Sequence, residues 1–153
     1  MNRAARIARA LRSADAGQAL AEMAIIVPLL VLLLIGLVEV GRYAHFSILV
    51  SNAARAGVQY GAQNLVTAAD NAAMQTAATA DAQNIAGLSA VATHFCKCAD
   101  GSASSCLPTD CSASHRLVYV QVDTTGTFSS LLNFSGIVPS LTIKGKAVMR
   151  AAQ

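Results

Sequence analysis

Residues 23–38 read MAIIVPLLVLLLIGLV, sixteen consecutive positions without a charge. Ala19 to Ala21 on one side of Glu22 and Val40 beyond Glu39 extend the apolar stretch to roughly the ~20 residues that a helix needs to cross a bilayer. A helix packed on a soluble core keeps a polar face, and this one has none. The stretch therefore reads as a transmembrane helix over 18–40. It accounts for much of a composition that is 54% hydrophobic and only 12% charged over 153 residues.

Charge is distributed unevenly around it. Arg3, Arg6, Arg9 and Arg12 against Asp15 make residues 1–17 a basic leader that carries the whole formal charge of +3. Beyond it, seven Lys and Arg balance seven Asp and Glu. Positive residues flanking an apolar helix stay on the cytoplasmic side, so the expectation is a single-pass protein with its N-terminus in the cytoplasm and residues 41–153 exported. With the excess positive charge confined to the leader and the rest of the chain balanced, no folded basic surface is expected, nor nucleic acid as a partner. The leader is read as a processing segment, with arginines every third residue suiting a short amphipathic helix.

The exported part reads as α+β. Tyr43, Phe46, Val50, Ala53, Gly57, Tyr60 and Asn64 follow the spacing of one helical face, so the helix continues through 41–65. Ala53, Gly57 and Gly61 lie four apart and form a smooth groove for close helix approach. Its occupant is another subunit's helix or the protein's own sheet, and the sequence does not choose between them. Asp70 is suited to N-cap a second helix over 71–85, with Gly87 as its stop. Residues 88–98, 116–125 and 140–147 alternate or are β-branched, predicting about three antiparallel strands packed on the helix. An apolar loop, with Phe128, Leu131, Leu132, Phe134, Ile137 and Val138, is expected before the last strand, either packed on the helix or offered to a partner.

Four cysteines, Cys96, Cys98, Cys106 and Cys111, fall in a Ser/Gly-rich stretch of the exported part and read as two disulfides of an oxidising compartment. The C-x-C and C-x4-C spacings lack the paired C-x2-C of a zinc site. Because Cys96 and Cys98 share a strand face, the nested pairs Cys98–Cys106 and Cys96–Cys111 are expected. No metal or cofactor is expected. His45, His94 and His115 are scattered, and no catalytic triad, nucleotide-binding glycine loop or HExxH motif occurs, so an enzyme is not expected.

Gly17 closes the leader, and Glu22 is the only acid at the start of the apolar helix. A carboxylate entering lipid is costly unless paired. Proteolysis between Gly17 and Gln18 would create an ammonium one helical turn from Glu22, on the same face. A small residue before the scissile bond suits an enzyme that binds it extended. A secretory signal peptide would instead need a small-x-small site after the apolar run, and Leu37-Val38-Glu39-Val40-Gly41 offers none.

The runs Ala16-Gly17-Gln18-Ala19-Leu20-Ala21-Glu22-Met23-Ala24, Pro28-Leu29-Leu30, Gly41-Arg42 and Asn52-Ala53-Ala54-Arg55-Ala56-Gly57 resemble the TadE-like family of the tight-adherence pilus. The resemblance spans about residues 16–60, with a looser likeness at the C-terminal strand. It implies a prepilin-like protein of the bacterial inner membrane, cut after Gly17 by a membrane prepilin peptidase, with Glu22 as the glutamate kept near the mature N-terminus. The implied partners are that peptidase, other pilins or pseudopilins and the assembly platform. Helix packing is expected along the row Ala53, Gly57 and Gly61 from its spacing and at Pro28 from the kink a proline makes. Major pilins of such systems usually have Tyr after the glutamate. Here Met23 and the longer chain indicate a minor pseudopilin rather than the fibre subunit. The competing expectation is an unprocessed bitopic membrane protein whose exported domain binds a cell-envelope partner.

Overall fold

The structure, a computed structural model, describes the backbone at residues 3–107, 109–131 and 140–152, and side chains from Gly17 onward. The chain forms two compact units, Met1–Gly41 and Arg42–Gln153. The elements are α1 (Arg3–Gly61), α2 (Leu65–Ala69), α3 (Asn71–Asp81), β1 (Ser89–Cys98), β2 (Ala103–Ser104), β3 (Arg116–Phe128) and β4 (Leu141–Arg150). The fold is α+β, as expected, with a long N-terminal apolar helix and an antiparallel sheet.

The expected helix over 41–65 ends earlier, at Gly61. The cause is local. Asn64 accepts from the backbone N–H groups of Val66 and Thr67, both at 2.9 Å, and Thr67 Oγ1 accepts from Asn64 N at 3.1 Å. This capping box starts α2 and removes Asn64 from α1, since a short amide competes with the helix for backbone partners. Asp70 caps α3 as expected, accepting from Ala73 N at 2.9 Å. That helix stops at Asp81, short of residue 85, and Ile85 is buried in the turn that follows.

The sheet runs in the order β2-β1-β3-β4, all antiparallel. The three expected strands are present and β2 is a fourth, two residues long and too short for an alternating pattern. Strand β3 extends to Phe128, so that residue belongs to the sheet rather than to a loop. Leu131 is exposed, and residues 132–139, with the rest of the expected apolar loop, lie outside the described residues.

One sheet face is closed by the helices. Val120, Val122 and Thr124 alternate inward on β3 and are fully or almost fully buried against Val50, Val58 and Met74. The row Ala53, Gly57 and Gly61 turns toward this interior. A Cβ on Gly57 would sit 2.9 Å from Met74 O and 3.0 Å from Val122 Cγ2, and one on Gly61 would overlap Met74 Sδ. The groove left open by sequence is therefore filled by the protein's own α3 and sheet. From the strand side, a Cβ on Gly145 would lie 2.6 Å from both Val50 O and Thr124 Oγ1. That close approach lets Thr124, the buried polar residue of this core, donate to Val50 O at 2.7 Å.

The cysteines form two disulfides, but not in the nested order. Cys96 pairs with Cys106, and Cys98 with Cys111. Strand pairing explains the difference. Ser104 stands opposite Cys96, and Cys98 N donates to Ser102 O, so Cys106 emerges at the Cys96 end of the hairpin. A left-handed backbone at Cys106, φ 69°, turns it back toward Cys96. The following turns bring the chain home beside Cys98, where Ala99 N donates to His115 O at 2.9 Å. Loops of 10 and 13 residues closed in this way contribute roughly 2–3 kcal/mol each in the chain-entropy account.

Asp110 organises the loop that the cysteines brace. Its Oδ2 accepts from the Ser105 hydroxyl and backbone N–H, both at 2.7 Å, from the Ser104 hydroxyl at 3.0 Å and from Leu107 N at 3.2 Å. These donors, the Ser105 hydroxyl foremost, hold its pKa below the ordinary 3.8.

Two outcomes follow from this packing. Gly145→Ala should destabilise the detergent-solubilised chain by about 1–3 kcal/mol, read as a lower thermal midpoint. Gly41→Ala, whose added Cβ meets nothing within 4 Å, should not lower it. Because the Asp110 pKa is depressed on folding, its contribution is present above pH 3.8 and is lost as pH falls through the folded value. Amide exchange at Ser105 and Leu107, corrected for intrinsic rates, should accelerate on acidification below that pH, and Asp110→Asn should abolish the pH dependence.

Candidate processing and assembly site

The segment opening at Gly17 lies inside α1, which is continuous from Arg3 to Gly61 and includes Pro28. Gly17 is thus helical and not extended. Glycine costs about 1 kcal/mol in a helix interior relative to alanine, so the turn at Gly17 is an easy place to unwind. Among the described residues no side chain crowds it, since a Cβ there would meet nothing within 4 Å.

One turn on, Gln18 Nε2 donates to Glu22 Oε1 at 3.2 Å. Both residues are exposed. The carboxylate therefore has a neutral partner in the intact chain, on the helical face where a cut at Gly17 would place an ammonium. A neutral amide offsets a carboxylate's loss of water less well than a cation does.

The helix that follows exposes apolar surface on every side. Fourteen large apolar residues between Leu20 and Val40 are exposed, including Leu20 at 71% and Ile25 at 75%. Each such side chain gains about 1.5–3 kcal/mol on leaving water. The stretch is long and apolar enough to cross a membrane, with mean hydropathy 2.8 in its most apolar window. Pro28 is exposed within it. Its missing N–H and its ring cost a helix a hydrogen bond, a loss that lipid-embedded helices tolerate when neighbours compensate.

The remaining predicted site residues fall in the second unit. Ala53, Gly57 and Gly61 are packing residues within the domain, and the four cysteines are all paired. Of the two expectations for the apolar segment, Phe128 follows the first and packs on the helix. Phe128 meets Tyr43 and Phe46 edge-on, with ring centroids 5.8 and 5.6 Å apart, and Arg42 lies 5.4 Å over its ring. The helical rhythm of Tyr43 and Phe46 points to one face, and the partner from the end of β3 appears only with the strand's full length. Arg42, Phe46 and Phe128, with His45, Leu49, Asn84 and Thr127, line a cleft in the second unit. No group of three His, Cys, Asp or Glu suited to a metal occurs among the described residues.

No curated protein and no solved structure gives a significant match to this chain. A family model does. Residues 17–59, beginning at the glycine that ends the leader and stopping within the last turn of α1, match the family described as TadE-like protein.

Proposed function

We propose that the protein is a minor prepilin-like component of a tight-adherence-type pilus assembly system, cut after Gly17 by a prepilin peptidase and assembled through its apolar helix. The observation that carries this reading is the TadE-like match over 17–59, whose first residue is Gly17. On this reading residues 18–40 span the bacterial inner membrane, the leader is cytoplasmic and residues 41–153 are periplasmic, in reach of other pilins and the assembly platform. Cleavage does two things at once. It removes Arg3, Arg6, Arg9 and Arg12, the charges that hold the N-terminus in the cytoplasm, and it creates an ammonium for Glu22. That amine comes from the same chain or from a neighbour, and in the second case the pair fixes the axial register between subunits.

Helix packing between subunits falls to residues 18–40, including the turn around Pro28, because the row Ala53, Gly57 and Gly61 is spent inside the domain. The unbroken helical backbone across Gly17 favours a second reading, an unprocessed bitopic membrane protein whose exported domain binds an envelope partner. One measurement separates them. The mass of the protein from cells with the prepilin peptidase should be that of residues 18–153, and from cells without it that of the full chain; a full-length mass in both would leave only the second reading.

Gly17→Phe should block the size shift without disturbing the fold, given the open space at that position. Glu22→Ala should be cut normally yet fail to enter the assembled pilus fraction. Normal assembly of that variant would remove the pairing role from Glu22.

A further inference from the structure

Charge that balances along the sequence is segregated in space. The helices cover one face of the sheet, through Gly57, Gly145 and the buried side chains of β3, and the other face is bare among the described residues. Strand alternation and register place Lys97 on β1 and Lys144, Lys146 and Arg150 on β4 on this open face, all four exposed. Among the described residues Asp123 of β3 is the one acid there; it stands opposite Lys146, and Gln121 Nε2 donates to it at 2.6 Å. Four of the seven basic residues beyond the leader therefore share a surface with one of the seven acids.

The rest of the face is equally particular. Phe95 and Tyr119 are cross-strand partners with stacked rings, 5.3 Å between centroids and 10° between planes, and Arg150 is the β4 partner of Tyr119. Around them stand the neutral hydrogen-bonding side chains Thr93, Gln121, Thr125, Thr127 and Thr142, with the apolar Val91, Leu117 and Val148 between them. Lys144 and Lys146 are two residues apart on one strand and so lie about 7 Å from each other.

We infer that this open sheet face binds an acidic polysaccharide. The basic side chains match carboxylates repeated along a chain, the hydroxyl and amide groups match sugar hydroxyls, and the stacked aromatic pair offers an apolar patch for the face of a sugar ring. A nucleic acid is less well served, because its bases use successive aromatic platforms and this face offers one aromatic pair among hydroxyl and amide side chains. The inference does not depend on cleavage after Gly17, which leaves this face untouched.

The test uses the full-length chain in detergent, labelled on its N-terminal amine, and titrates it with alginate oligosaccharides, neutral dextran of similar length, a dT20 oligonucleotide and polyglutamate. Alginate should bind, and its affinity should weaken at least threefold between about 50 and 300 mM salt as exposed charges are screened. Lys144→Gln with Lys146→Gln should weaken it by roughly five- to tenfold at an unchanged thermal midpoint. Tyr119→Leu should weaken it with its salt dependence retained. Dextran should not bind. No binding of alginate at low salt, or equal binding by the double lysine variant, would overturn the inference. So would dT20 or polyglutamate binding as tightly as alginate, since the face would then read charge alone or a different polymer.

Discussion

The second unit depends on how closely helix α1 approaches the sheet. A helix laid on a sheet normally stands off by the length of its side chains, and here glycines on both surfaces remove that spacer. Gly57 and Gly61 admit Met74, Val120 and Val122 from one side, and Gly145 lets β4 reach the helix backbone at Val50 from the other. The Thr124 hydroxyl then donates to a helix carbonyl, an acceptor with a spare lone pair. The hydrogen bond and the apolar packing require the same short distance. Loss of either glycine surface would leave Thr124 buried without its partner, at a cost larger than the lost contact alone.

This arrangement divides the labour of the long helix. Its distal part is committed to the domain, and its proximal part, from Leu20 to Val40, keeps its apolar surface for a different solvent. Small residues in rows are often read as helix-docking faces, and the same row serves equally well for docking a sheet. Only the neighbours decide. The sequence could name the row but not what fills it.

Legibility followed the range of the interactions. The apolar run, the cap at Asp70 and the alternation in β1, β3 and β4 are local patterns, and each element came out near its expected place. The roles proposed for Gly17 and Glu22 rest on the same kind of local pattern, their spacing along one helix. What escaped were effects of competition and of pairing in space. Asn64 looked like one more position on a helical face until its side chain was seen to cap the next helix. The cysteine pairing hinged on which residue stands opposite Cys96, a register set by a two-residue strand. The charge on the open sheet face was invisible in a balanced total, since it arises only when β1 and β4 flank β3 with their basic residues turned the same way.

The two edges of the sheet are built differently. At the β2 edge, interlaced disulfides tie β1 to the loop that follows it, so that edge is covalently riveted. At the other edge β4 is held to β3 by a ladder of hydrogen bonds and by its seat on the helix. A load drawing the C-terminus across the strands would peel that ladder one rung at a time, whereas the same load along them would strain every rung at once. The domain therefore has one covalently closed edge and one held by hydrogen bonds and packing, and the second carries Lys144, Lys146 and Arg150.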